Sequence, residues 1–197
     1  QSIRKGLFGE NIELSFIELE ESSRRSPLSG GFEYITNPAN FIAGKTRNSR
    51  YAYESFGYMV EQIVLKVTDL GLGTCWIGYF NPEFFYEVRI TNDEIFPAII
   101  ILGYPGEASS FSNIFNRKYR SVRTNRMKWN QLFSYNDFHE PLTEDQAGKF
   151  CEPLDMLRFA PSSGNTQPWR IIKDPVINIF HFYKKTVSYH YELKKLH

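Results

Sequence analysis

The sequence predicts an α+β chain, and three segments carry that prediction. Tyr53 to Leu70 places Phe56, Met59, Val60, Ile63, Val64, Val67 and Leu70 at three- and four-residue spacing, the pattern of a helix with one apolar face. Ile12 to Leu19 alternates (Ile12, Leu14, Phe16), which is the period of a half-exposed strand. Pro97 to Gly103 is an apolar, β-branched run of the kind expected in a buried strand.

The remaining elements follow from their punctuation. Glu20 to Gly31 reads as a polar loop, and Phe41-Ile42-Ala43 as a short apolar segment ending at Gly44. Gly71 closes the long helix in the usual C-cap manner. The run Gly71-Leu72-Gly73-Thr74-Cys75-Trp76-Ile77-Gly78 then turns into an extended segment. Its early glycines permit positive φ and a close backbone approach, although by itself it is a simple helix-to-strand connection. Tyr104-Pro105-Gly106 ends the apolar strand. Thr143 to Phe159 reads as a second helix, opened by a capping box of Thr143 and Gln146. Ala147, Phe150, Cys151 and Leu154 line one face, and Pro153 is expected to kink or divide it. Trp169–Lys173 and Ile177–Phe182 flank Asp174-Pro175 as strand, turn and strand.

Composition limits the function. The chain has 197 residues, enough for one large domain or two small ones. Its net charge of +1 gives no global field for nucleic acid or membranes. No apolar run is long enough to span a bilayer, and no signal peptide is visible. Cys75 and Cys151 make no disulfide framework, so a cytoplasmic setting is expected. Cys75 reads as a small buried thiol rather than a nucleophile. His139, His181, His190 and His197 show no metal-ligand spacing, so no metal is expected. The chain begins with Gln1 rather than Met, and both ends are expected to continue.

Two runs could bind a ligand. Arg117 to Lys128 holds Arg117, Lys118, Arg120, Arg123, Arg126 and Lys128 with no acid, either as a solvated loop or as an anion site for a phosphate. With Tyr119 and Trp129 nearby it also admits a nucleic-acid-binding module, against which the low net charge argues. Ala160 to Arg170 (Ala-Pro-Ser-Ser-Gly-Asn-Thr-Gln-Pro-Trp-Arg) is a helix-to-strand turn in which Pro161 stops the helix. Ser162, Ser163, Asn165, Thr166 and Gln167 can present hydroxyls and amides to a polar, planar ligand. By composition alone it is an ordinary polar turn.

Taken together, these segments resemble the flavin-dependent nitroreductase family. Ser2-Ile3-Arg4 is similar to the end of the family's Arg-x-Ser-x-Arg signature, and Gly71 to Gly78 to its central flavin loop. Pro161 to Trp169 is similar to its Pro-Ser-x-x-Asn-x-Gln-Pro-Trp signature. Pro97 to Pro105 and Arg126-Met127-Lys128-Trp129 resemble two further landmarks. The order differs from ordinary members, where the Pro-Ser-x-x-Asn signature precedes the glycine loop. Ordinary members are homodimers that hold each FMN between subunits. The order here resembles a subgroup in which two diverged halves are fused into a monomeric pseudo-dimer, with one FMN site per chain and further dimerisation open. On that resemblance the halves are residues 1–134 and 135–197, the second incomplete, and the fold is nitroreductase-like: a mixed, largely antiparallel sheet packed by helices. A second departure lies at Lys5-Gly6, where the family has a helix before the first strand and this chain runs directly into Leu7-Phe8-Gly9.

The resemblance implies an FMN-dependent NAD(P)H oxidoreductase. Hydride would pass from NAD(P)H to flavin and then, in ping-pong fashion, to a nitroaromatic, quinone or similar small-molecule acceptor. The flavin carries the chemistry, so no catalytic side chain is expected. Arg126 and Lys128 would meet the phosphate. Ser2 and Arg4 would lie near the ribityl chain or pyrimidine edge. Gly73, Thr74 and Gly78 would offer backbone near the reactive edge. Pro161, Ser162, Ser163 and Asn165 would approach the ribityl and ring edge, while Gln167 and Trp169 orient the turn. The alternative reading is a flavin-binding carrier or sensor without turnover.

Overall fold

The computed structural model describes residues 2–23, 35, 37–105 and 125–186. Contacts divide the chain into two compact units, Gln1–Ser109 and Ser110–His197. The boundary expected at 134/135 therefore falls inside the second unit. Met127 and Trp129 pack against that unit's core of Leu132, Phe133, Leu142, Ala147, Leu154 and Ile171.

In the first unit the strands are β1 (Ser2–Lys5), β2 (Asn11–Glu18), β3 (Asn40–Arg47), β4 (Gly73–Ile77), β5 (Glu94–Ile95) and β6 (Ile99–Gly103). They form one sheet in the order β1-β2-β3-β6-β4, with β5 on the end of β3 and every ladder antiparallel. Helix α1 (Ala52–Asp69) lays Phe56, Val60 and Val64 on Ile12, Leu14 and Ile100 of one face. Its end is a Schellman motif: Leu72 N–H reaches Val67 O (3.2 Å) and Gly71 N–H reaches Thr68 O (2.9 Å), with Gly71 at φ +80°.

The opposite face is also covered. Phe85, Val88, Phe80, Phe84 and Phe96 pack on Ile17, Phe41, Ala43, Ile99 and Ile101. This corrects the half-exposed reading of β2: Ile12 and Leu14 face the helix, Ile17 faces the aromatic cluster, and Phe16 is left 64% exposed. Gly44 does not end the segment after Ala43 but lies inside β3. A Cβ there would stand 2.5 Å from a Leu14 methyl and 2.8 Å from Glu13 O of β2, and 3.1 Å from the Phe56 ring of α1, so glycine is what lets strand and helix pack this closely. No helix stands between Lys5 and β2. A tight hairpin joins β1 to β2 instead, with Gly6 N–H on Glu10 O (2.8 Å) and Gly9 at φ +92°. The buried Ser55 of α1 clasps this hairpin, donating to the Glu10 carboxylate and accepting from Phe8 N–H.

The second unit contains α2 (Trp129–Leu132), β7 (Phe133–Tyr135), α3 (Glu144–Ala147), α4 (Cys151–Phe159), β8 (Trp169–Lys173) and β9 (Phe180–Lys184). Its sheet runs β7-β8-β9, parallel then antiparallel. The Thr143–Gln146 capping box forms in both directions, at 2.8 and 3.2 Å. The expected helix divides, but at Gly148 rather than Pro153. Gly148 adopts φ +54°, ψ −128°, which no α-helix accommodates, and a single 3₁₀ turn (Gly148–Phe150) follows. Pro153 falls in the first turn of α4, where its missing N–H has no partner to lose. Asp174 builds the β8–β9 turn by accepting from Val176 N–H (2.8 Å) and Ile177 N–H (2.9 Å). The strand after it starts at Phe180, later than Ile177. The fold is thus α+β with a mixed, largely antiparallel strand set.

Candidate functional site

Among the described residues of the second unit, the loop between α4 and β8 is cross-braced by residues 125–127. After α4 ends at Phe159, Ser163–Asn165 make a 3₁₀ turn, and Gly164, Asn165 and Gln167 take φ values of +58°, +54° and +45°. Left-handed backbone costs an L-residue about 1–2 kcal/mol, so Asn165 and Gln167 hold it only because the surroundings compensate.

The compensation comes from residues 125–127. The Arg126 guanidinium donates through Nη1 to Asn165 Oδ1 (2.7 Å) and Ala160 O (3.1 Å). Asn165 Nδ2 donates to Asn125 O at 2.9 Å. Gln167, 3% exposed, accepts from Met127 N–H (2.8 Å) and donates to Asn125 O (3.2 Å) and Asn165 O (3.1 Å). Ser162 Oγ accepts from Gln167 N–H at 2.9 Å, and Arg170 donates to Gln167 O at 3.0 Å. Arg126 Nε and Trp169 Nε1 are buried without a hydrogen-bond partner among the described residues.

The expected site residues thus separate into groups. Asn165 turns its amide onto residues 125–126, and Gln167 turns its amide onto residues 125 and 127 and onto Asn165 O. Arg126 faces the loop, whereas Lys128 and Ser163 are exposed and Ser162 is half-buried. The Ser162 hydroxyl donates to no acceptor among the described residues. Pro161 is exposed just beyond the helix end. Arg117, Lys118, Tyr119, Arg120 and Arg123 lie outside the described residues, as do Gly106, His190 and His197, most of the Glu20–Gly31 loop and the side chain of Ser2.

In the first unit, Gly73 and Thr74 begin β4, and Gly78 follows it. β4 is an edge strand: one side pairs with β6 (Gly73↔Gly103 through Ile77↔Ile99), and no described strand pairs with the other. Gly78 is exposed, with nothing within 4 Å of where its Cβ would stand. Arg4 is exposed on β1 and borders a groove of about 670 Å³ beside α1, lined by Leu14, Phe16, Ile42, Met59 and Ile63.

Sequence reasoning missed Asn125 and Arg170 as loop anchors. Arg170 adjoins the Pro-Trp pair and was within reach of the pattern, but Asn125 acts through its carbonyl, which any residue provides. Burial and the Glu144 and Asp155 carboxylates push the Cys151 thiol up, which lowers its thiolate fraction. Among the described residues no three His, Cys, Asp or Glu gather to hold a metal, and no helix is long and apolar enough to cross a membrane.

A mixed α+β chain with a glycine turn entering an edge strand and a braced Pro-Ser-Ser-Gly-Asn-Thr-Gln-Pro-Trp loop has the parts of a nitroreductase-type protein. The family described as "Putative TM nitroreductase" matches residues 7–193, and the chain belongs to it. Among solved structures it is similar to a "putative nitroreductase" of Thermotoga maritima (26% identity, 70% of this chain and 49% of that one, TM-score 0.44). It is also similar to nitroreductase family proteins of Clostridium novyi NT (20%, 53% and 64%, 0.42) and Clostridium difficile 630 (17%, 49% and 60%, 0.37). The chain spans about half the length of the Thermotoga protein. No curated protein matches it.

Proposed function

We propose that this chain serves an FMN-dependent NAD(P)H oxidoreductase of nitroreductase type, acting on a nitroaromatic, quinone or similar acceptor. Family membership supports the reaction class. The observation that carries the cofactor assignment is the braced 160–170 loop. Its hydrogen bonds are spent on holding its own shape, which leaves the Ser162 and Ser163 hydroxyls as donors for a polyhydroxylated ligand.

The residues fit such a group. Lys128 is an exposed cation suited to a phosphate. The open space before Gly78 and the outer edge of β4 leave main chain bare for a flat ring. When bound, FMN supplies the two-electron hydride chemistry, and the protein supplies position and electrostatics. Ser162 and Ser163 would hydrogen-bond the ribityl chain, with Pro161, Asn165 and Gln167 shaping their loop. Arg4, with Ser2 beside it on β1, would favour negative charge at the pyrimidine edge. Gly73 and Thr74 would offer backbone groups near the reactive edge. One FMN per chain is expected, as in a pseudo-dimer. A cytoplasmic setting is part of this reading, since two cysteines in 197 residues make no disulfide framework.

The test is the absorbance of the purified protein between about 300 and 550 nm, the flavin range, with FMN and then NADH or NADPH added. Twin flavin bands that bleach support the oxidoreductase. Bands that persist in both reductants point to a flavin carrier or sensor. No uptake of FMN overturns the assignment.

A further inference from the structure

We infer that Arg126 is a positioning residue, which presets the 160–167 loop for its ligand instead of gripping the ligand's phosphate. The inference rests on the flavin reading above for its ligand, but not for its geometry.

Three observations carry it. First, one nitrogen of Arg126 is committed to the loop: Nη1 donates to both Asn165 Oδ1 (2.7 Å) and Ala160 O (3.1 Å). A cation fixed this way ties the end of α4 to the middle of the loop, because the two N–H groups of one planar nitrogen point at two different acceptors. Second, Arg126 is one strut of three. Asn125 O receives both Asn165 Nδ2 and Gln167 Nε2, and Met127 N–H donates to Gln167 Oε1. Three consecutive residues thus brace a loop about 40 positions further along the chain. Third, the braced residues are the ones with left-handed backbone, Asn165 and Gln167, so the struts oppose the strain. A loop locked before its ligand arrives loses less conformational freedom on binding.

Binding of FMN and of riboflavin, which lacks the phosphate, separates positioning from phosphate contact. Arg126→Ala is expected to weaken both flavins by the same factor, tenfold or more. Amide exchange at Asn165, Thr166 and Gln167 is expected to speed up at least tenfold in the flavin-free protein, with amides of α1 and β3 unchanged. If Arg126→Ala folds poorly, Arg126→Lys serves: it keeps the charge but loses the planar fork, and is expected to leave the same equal loss for both flavins in smaller measure. Loss of FMN binding with riboflavin binding and loop exchange unchanged overturns the inference in favour of a phosphate contact. Unchanged exchange with both flavins unaffected also overturns it. If the unsubstituted protein binds neither flavin, the functional reading fails, and loop exchange alone still decides whether Arg126 sets the loop.

Discussion

Two segments carry the chain from the end of a helix into a strand: Gly71–Gly78 in the first unit and Ala160–Arg170 in the second. The first is built by main chain. A Schellman motif closes α1, and the β4–β6 ladder takes over within two residues. Gly71 alone needs its positive φ, and Gly73 and Gly78 meet no tight neighbour. The second is built by side chains. Ser162, Asn165, Gln167, Arg126 and Arg170 supply hydrogen bonds that secondary structure would otherwise supply. A turn made from backbone tolerates sequence change and leaves its surface bare. A loop made from side chains can hold strained backbone and chosen hydroxyls in place, at the cost of depending on each strut.

The largest effect is expected where that dependence is greatest. Gln167→Ala strips a buried amide and strands Met127 N–H and one bond of Asn125 O. The second unit should lose about 2–4 kcal/mol, seen as a lower urea midpoint. A loss below about 0.5 kcal/mol would show that the loop does not rely on its struts.

Gly71→Ala should cost about 1 kcal/mol, the usual penalty for placing a Cβ in left-handed backbone at a C-cap. If it matched the Gln167 loss, the contrast between the two turns would disappear.

Asp174 makes a third, smaller turn from a charged side chain. Backbone N–H groups of Ile177 and Val176 hold its carboxyl below the ordinary carboxylate range. A lowered folded value means the contribution is present above the unfolded value and lost as pH falls through the lowered one. Asp174→Asn keeps an acceptor but no titration. The drop in urea midpoint between neutral pH and about pH 3 should therefore be smaller in the variant than in the parent. An equal drop would place the acid sensitivity elsewhere, for which Glu10, Asp93 and Glu94 are the other carboxylates held low among the described residues.

The smallest structural effect is expected at Gly78→Ala, within about 0.5 kcal/mol, because no atom stands in the way. Its value lies in the ligand. Flavin affinity that falls while the urea midpoint holds would report contact with bare backbone at Gly78; unchanged affinity would remove Gly78 from the site.

Much of this was legible in the sequence because it is local. The apolar spacing of Tyr53 to Leu70 produced α1 within one residue at each end. The Thr143–Gln146 pair capped α3 as the motif requires. Ala160–Arg170 is the helix-to-strand turn its Pro, Gly and Asn residues announce. The candidate residues stand in short signatures, whereas the hydrogen bonds that join them do not follow from those signatures. Nothing in the basic run around Arg126 announces its hydrogen bond to Asn165, thirty-nine positions away.

The sequence by itself determined the α+β class, the positions of the main elements and the family, because periodicity, capping and short motifs act over a few residues. Only the tertiary structure decided that Gly44 lies under a helix, that Phe16 stays exposed at the groove beside α1 while Ile17 is buried on the opposite face, that the second helix breaks at Gly148, and that residues 125–127 brace the 160–167 loop. Each of these depends on what stands across from a residue in space, and distant packing and hydrogen-bond partners leave no periodic trace along the chain.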